Sequence, residues 1–445
     1  RSPMQDARMI PDSAYTSALT VYSAVLEKGP AGFDWRCAQP GNVFHNDEKP
    51  VTCAVVDAKR PVTLTVTIGD AEGNKVSEKA YPVNAGRQDI EIDLAQEDLG
   101  WYSLVYELSD AKGVFMRHEA SFALLGKDTR TMKDGEGPYG TWTYSGNHYQ
   151  DTNFHNVGAL MLKAGLRKGE GVTWWTKEIR SKYLVGPQGI GWNRYQKMTD
   201  EERVADFRKK LEVDPFANNF LIFHEDAPWS YQQAWELTGQ KVPDPKEYHN
   251  AGWKGGSLKG KDAFEARRNR HERAMHQCKV IRDNLPQVKI SLGNSLACTE
   301  LIAESIRDGL PEEYVDYMGI ESVVRTQLPE REGDISLLMA DAMKQTAEAF
   351  GYRKWGVNTT WESDYRMTQI LGDDRQAWWY VRDMAVQQAW RMPSIFVATL
   401  SDCGNSYGGS FWGQCGLTVR YPLQWPKKSY VGVAVATKMM DGVTD

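Results

Sequence analysis

Long apolar runs are missing from this 445-residue chain: none approaches the ~20 residues that a helix needs to cross a membrane, so no membrane span is expected. A basic excess is missing as well. The 59 Asp and Glu outnumber the 53 Lys and Arg, for a net charge of -6, and no acidic tail is present. That balance gives no electrostatic case for nucleic acid and points to small or neutral partners. Cys37, Cys53, Cys278, Cys298, Cys403 and Cys415 include no C-x-x-C pair, which removes the usual zinc and redox motifs. Neighbouring cysteines are close enough in sequence for three local disulfides, and buried free thiols fit the same spacing. No secretory leader opens the chain. Arg1-Ser2-Pro3-Met4-Gln5 reads as an arbitrary start, so a removed targeting segment or earlier domain is expected, with a secreted, periplasmic or cell-surface location.

Several catalytic motifs fail on context. His224-Glu225 does not begin an H-E-x-x-H zinc helix, because the position four after His224 is Pro228. Gly404-Asn405-Ser406-Tyr407-Gly408 matches the nucleophile elbow by letter, but a glycine-rich loop follows it where a helix is required. Asn358-Thr359-Thr360 has the letters of a glycosylation site inside a strand expected to be buried. No glycine-rich phosphate loop follows a strand, which argues against a doubly wound nucleotide fold, and no cofactor is expected.

What the chain does hold is length and aromatic side chains. At 445 residues it exceeds one ordinary core and divides into two expected domains. All of its 16 Trp except Trp35 and Trp101 lie beyond residue 130, and aromatic faces both fill cores and stack on sugar rings. Residues 1–127 read as an antiparallel β-sandwich, with alternating strands at Val51–Val56, Val62–Ile68, Gln88–Leu94, Tyr102–Leu108 and Glu119–Leu125. Turn residues at Asp70–Asn74, Asn84–Gly86 and Ser109–Gly113 punctuate them. No chemical cluster occurs in this part, so structural support or glycan handling is its expected role. Residues 128–137 read as a polar linker.

From residue 138 to 445 the pattern becomes strand, loop and amphipathic helix in repetition. Strands are expected at Gly140–Tyr144, Gly171–Trp175, Tyr183–Val185, Phe220–Phe223, Val288–Leu292, Val315–Ser322, Lys354–Thr360 and Ser394–Leu400. Helices are expected at Asn153–Leu166, Arg203–Glu212, Asp262–Asn284, Ser336–Phe350, Asp374–Arg391 and Tyr430–Met440, the second opened by the cap Thr199 and an acidic first turn. Eight such units point to an α/β fold of the (β/α)8 TIM-barrel type.

Two strands end in glutamate. Asn218 to Ser230 carries the apolar run Phe220–Phe223 and then Glu225, and Lys354 to Glu362 is a second β-rich run ending in Glu362. A carboxylate at the C-terminal end of a barrel strand is aimed by a rigid element and opens to substrate. Strands four and seven face each other across such a barrel, so the two carboxylates can converge on one bond. Paired carboxylates serve glycoside hydrolysis, one protonating the leaving oxygen and the other attacking or activating water. Phe223 and Trp229 would desolvate Glu225 and keep it protonated, while Glu362 must stay ionised.

A barrel with Glu after strand four and Glu after strand seven resembles the clan A retaining glycoside hydrolases, over roughly residues 138 to 445. The resemblance implies Glu225 as general acid/base, Glu362 as nucleophile and a covalent glycosyl-enzyme intermediate on an oligo- or polysaccharide. That clan usually has Asn before the acid/base to contact the sugar 2-hydroxyl; here His224 occupies the position. Glu321, in Gly319-Ile320-Glu321-Ser322, is the rival nucleophile or a hydroxyl ligand.

Around the mouth, Trp142, Tyr144, Asn147, His148, Trp174, Trp175, Trp229, Trp361, Asp402 and Trp412 are candidates for sugar subsites. Arg325 and Arg366 raise an acidic glycan, with solvated surface as the plainer reading. Two further readings stay open: a non-catalytic carbohydrate-binding barrel, and a metal-dependent barrel hydrolase drawing on His148, His155, His224, His249 and Asp402.

Overall fold

The computed structural model describes residues 29–131, 137–143, 151–170, 175–184, 186–187, 189–191, 198–213, 221–224, 272, 275–292, 306–323, 341, 344–345, 347–362, 372–393, 395–397, 399–402, 416–419 and 423–443. Its N-terminal part is built where apolar residues alternate. Strand β3 (Val51–Ala58) lies between β1 (Ala31–Cys37) and β6 (Gly86–Asp93) in a three-stranded antiparallel sheet. A second, five-stranded sheet runs in the order β2 (Val43–His45), β8 (Gly113–Leu125), β7 (Gly100–Asp110), β4 (Val62–Gly69), β5 (Lys75–Val83). Val62, Leu64, Val66 and Ile68 of β4 and Tyr102, Leu104, Tyr106 and Leu108 of β7 are buried, and they share one core with Ala54, Val56 and Ile92 of the smaller sheet. This sharing follows from the period-2 pattern, which turns one face of each strand inward.

Three strands here lie outside the alternating runs found in the sequence. Strand β5 is exposed along most of its length, an edge strand with Lys75 and Lys79 that has no buried face to alternate. β1 and β2 flank a 3-10 turn at Pro40–Asn42, and β2 pairs parallel with β8, so the larger sheet is mixed and not wholly antiparallel. Gly41 in that turn has φ +64, and a Cβ there would lie 2.5 Å from the Gln424 carbonyl oxygen, so only glycine permits this approach of the two halves. Cys37 and Cys53 are free thiols on these adjacent strands; Cys37 pairs with Thr52 and Cys53 with Arg36, so the local disulfide considered for them is not formed. Cys278 is also free and buried.

The second part is a parallel sheet. Its strands are β9 (Tyr139–Trp142), β10 (Lys168–Glu170), β11 (Gly186–Pro187), β12 (Gly189–Gly191), β13 (Leu221–His224), β14 (Lys289–Leu292), β15 (Tyr317–Val323), β16 (Gly356–Glu362) and β17 (Ile395–Val397). They are ordered β11-β10-β9-β17-β16-β15-β14-β13-β12, and every pairing is parallel. The two ends of this order are therefore neighbours in sequence.

The second and third strands differ from the sequence expectation. β10 precedes the aromatic stretch assigned to it, and Tyr183, expected in the third strand, ends helix α2 (Lys177–Tyr183). Thr176 caps that helix by accepting from the Ile179 N–H at 3.3 Å, and Leu184 closes it in the left-handed region at φ 57. The strand that follows is glycine-rich and carries little apolar signal.

Helices cover one face of the sheet. α1 (Asp151–Ala164), α4 (Gly372–Ala389), α5 (Lys428–Met439) and the helical segment 275–284 share a core with Ile290, Leu292, Met318, Ile395 and Val397. Between α2 and the fourth strand, α3 (Asp200–Val213) opens with the expected capping box: Glu202 N–H donates to Thr199 Oγ1 at 3.3 Å and Thr199 N–H to Glu202 Oε2 at 2.8 Å.

The two parts are fastened together. Trp101 Nε1 and Ser121 Oγ both donate to the Pro426 carbonyl, at 2.7 and 2.6 Å, and Trp35 packs on Trp425 with ring centroids 5.0 Å apart. Of the segment expected as a linker, Arg130 is buried against α5, donating to Ala434 O at 2.8 Å and Thr437 Oγ1 at 3.1 Å.

Lys168 is the buried cation of the sheet. Its ammonium donates to Pro393 O at 2.9 Å, and burial pushes its pKa down from 10.5 to about 8. Between those values the unfolded chain holds the proton more tightly than the native protein does, so stability rises with pH through that window. Urea midpoints are expected to climb from pH 8 toward 10.5, and Lys168→Met is expected to flatten this rise; an equal slope in both proteins would contradict it.

Candidate active site

Because all the strands of the second sheet are parallel, their C-terminal ends meet at one edge. β9 ends there with Trp142, β13 with His224, β15 with Val323 and β16 with Glu362. Glu225 follows β13 directly but lies outside the described residues, as do Tyr144, Asn147, His148, Trp174, Trp229, His249, Arg325, Arg366 and Trp412.

Register orders what is described. His224 pairs with Leu292, Leu292 with Met318, and Met318 with Val357. One strand pair further up, Glu321 pairs with Thr360 and Val323 with Glu362. Residues paired across a parallel ladder share a face, and successive residues alternate. Leu292 and Met318 are fully buried in the core they share with the helices. By backbone register, His224, Val357, Thr359 and Trp361 fall in the same alternation as Leu292 and Met318, and Glu321, Thr360 and Glu362 in the other.

Two expected subsite residues have described side chains. Trp175 is 5% exposed and packs on Phe154 with centroids 5.6 Å apart, so its ring is covered by protein and not available as a sugar platform. Asp402 lies beyond β17 in a polar cluster. Its Oδ1 accepts from the Gly416 N–H at 3.0 Å and from Lys427 Nζ at 2.6 Å. Burial raises its pKa, against the lowering effect of the Lys427 charge. Ser401, Thr418 and Gln424 extend the cluster, with Ser401 Oγ 2.8 Å from Thr418 Oγ1 and accepting from Gln424 Nε2 at 3.2 Å. Lys427, Thr418 and Gln424 had no signal in the sequence, since each is distant in the chain from Asp402 and Ser401.

Among the described residues no group of three or more His, Cys, Asp or Glu is placed to hold a metal ion. His155, one of the histidines weighed for that role, sits 2.9 Å through Nδ1 from the Tyr183 hydroxyl.

No protein-family model matches the chain, and no curated protein matches it in sequence. Among solved structures, the chain is similar to a family 39 glycoside hydrolase from the gut symbiont Bacteroides cellulosilyticus WH2. The two are 14% identical with a TM-score of 0.56, over 91% of this chain and 83% of that one. The likeness is one of fold. The resemblance to clan A glycoside hydrolases drawn from two strand-end glutamates thus holds for the architecture. An FMN-binding β-glucuronidase from Facaelibacterium prausnitzii L2-6 aligns at 10% identity and TM-score 0.39, over 92% of this chain and 61% of its own. A β-D-glucuronidase of Dictyoglomus thermophilum aligns at 11% identity and TM-score 0.41, over 92% and 68%.

Proposed function

We propose that the chain is a retaining O-glycoside hydrolase of oligo- or polysaccharides, with a (β/α)8 barrel bearing the site and an N-terminal β-sandwich supporting it. The observation that carries this reading is the register of the parallel sheet. From Gly186 the ladder runs through Lys168 and Gly140 to Phe396, and the adjoining pair Thr359–Ile395 puts this level at Thr360 on β16. From Gly191 it runs the other way through Phe223, Ser291 and Tyr317 to Gly356. The second level starts five residues later on the third strand and arrives four residues earlier on β16, an offset of nine. A closed eight-stranded barrel of this type has a shear of about eight. Counting β11 and β12 as one interrupted third strand, order and offset both fit closure.

Closure bears on the two glutamates. The ladder from β13 to β16 drops by about one residue per strand relative to the axis of such a barrel. Glu362 stands five residues beyond Val357, the ladder partner level of His224. About three of those five are absorbed by the drop, which leaves Glu362 about two residues beyond the level of His224, the last described residue of β13. In this reading Glu225, next in sequence after β13, acts as general acid/base and Glu362, the last residue of β16, as nucleophile.

Retention is tested by following the first-formed product by proton NMR. The account expects the anomer of the substrate, and the opposite anomer would replace direct attack with activated water.

A further inference from the structure

The segment Gln424–Lys427 is gripped from two sides. On one side the N-terminal part holds it: Trp101 Nε1 and Ser121 Oγ donate to the Pro426 carbonyl, and Trp35 packs on Trp425. On the other it meets the chain that continues β17. Thr418 bridges Ser401 in parallel and Pro426 in antiparallel sense, the Lys427 N–H donates to Leu417 O at 2.9 Å, and the Asp402 N–H donates to Thr418 O at 2.9 Å. Gln424 has a φ of 50, a left-handed backbone that a residue bearing a side chain keeps only where its surroundings enforce it. Lys428, next in the chain, reaches Asp374 in the first turn of α4 at 2.7 Å and also donates to the Ala71 carbonyl of the N-terminal part, with its ammonium 5.4 Å from the Trp101 ring centroid.

These contacts end on Asp402. Lys427 Nζ and the Gly416 N–H both donate to Oδ1, and among the described residues nothing donates to Oδ2. The side chain keeps 13% of its surface exposed. A carboxylate with one oxygen held twice and the other unclaimed is a fixed hydrogen-bond acceptor. Thr359 pairs with Ile395, so Glu362 stands three residues beyond that level and Asp402 seven, both toward the strand-end edge. Asp402 thus lies outward of Glu362, where the far units of a longer substrate would run.

We propose that Asp402 accepts from hydroxyls of an oligosaccharide outward of the reaction centre, and that Trp101 and Ser121 of the N-terminal part are positioning residues that set it through Pro426 and Lys427. A sugar as the ligand rests on the proposed function; the linkage from Trp101 to Asp402 does not.

The test is a double-mutant cycle in the full chain. Trp101→Phe/Ser121→Ala removes both side-chain donors to Pro426, Asp402→Asn keeps the shape while replacing one acceptor oxygen by a donor, and a fourth protein combines them. Each is assayed on a 4-nitrophenyl glycoside that wild-type protein cleaves and on the hexasaccharide of the same sugar. Asp402→Asn is expected to raise KM for the hexasaccharide about ten-fold, the scale of one hydrogen bond to a charged group, with kcat nearly unchanged. Trp101→Phe/Ser121→Ala is expected to raise it about five-fold, and the combination no further than Asp402→Asn alone. The 4-nitrophenyl glycoside is expected to be cleaved equally by all four proteins. Effects that multiply in the combination, no effect of Trp101→Phe/Ser121→Ala, or equal losses on both substrates, which mark general damage, would each overturn the proposal. If wild-type protein cleaves no glycoside, the proposed function fails and urea unfolding of the same four proteins decides the linkage: a combined loss smaller than the sum of the separate losses sustains it, and additive losses overturn it.

Discussion

Replacing Glu362 by Gln is expected to lower kcat on an aryl glycoside by roughly 10,000-fold or more, because the amide can neither attack the anomeric carbon nor leave as a carboxylate. The change is nearly isosteric, and Glu362 is the last residue of a strand paired along its whole length with β15, so the fold should survive it. Substrate affinity is expected to stay within a few-fold, which circular dichroism and equilibrium binding of an unhydrolysed oligosaccharide would check. A binding barrel without catalysis would show no turnover to lose. If wild-type protein turns over and the variant keeps its rate, Glu362 is not the nucleophile.

Glu225→Gln is expected to cost about 100- to 10,000-fold, and the cost should depend on the leaving group. A sugar alkoxide must be protonated as it departs, whereas a nitrophenolate leaves with little help. The loss is therefore expected at the upper end for oligosaccharides and at the lower end for activated aryl glycosides. The alkaline limb of the wild-type pH profile, which reports loss of the acid's proton, should also disappear. Equal loss on both substrate classes with the limb retained would remove Glu225 from the acid role. A metal-dependent hydrolysis would instead be abolished by chelators in wild-type protein, where two carboxylates would be indifferent.

Much of the architecture was legible because burial imposes a period. Leu64, Val66 and Ile68 of β4, or Leu104, Tyr106 and Leu108 of β7, announce a half-buried strand by alternation alone. The 3.6-residue spacing of Trp379, Tyr380, Met384 and Gln387 does the same for α4. Elements without a buried side gave no such signal. β5 is exposed along most of its length, and Gly186–Pro187 with Gly189–Gly191 makes a strand mainly from backbone pairing. The aromatic Trp174 and Trp175 drew the second strand too far along the chain, when the paired residues were the polar Lys168–Glu170.

The site was legible in kind more than in arrangement. Glutamate at the end of a β-rich run is visible from the letters, but its height and face depend on pairing with strands far away in sequence. Thr360 opposite Glu321, or Val357 on the level of His224, follows only from the sheet. The same holds for Asp402. Its neighbour Lys427 comes from the segment before α5, and no local pattern links the two.

The most direct test of the central claim is covalent trapping. Incubation with an activated 2-fluoro glycoside slows release of the glycosyl-enzyme, and peptide mass spectrometry then locates the added sugar. The account predicts stoichiometric inactivation with the label on Glu362. A label on Glu321, or continued turnover of substrate with no label on the chain, would contradict it.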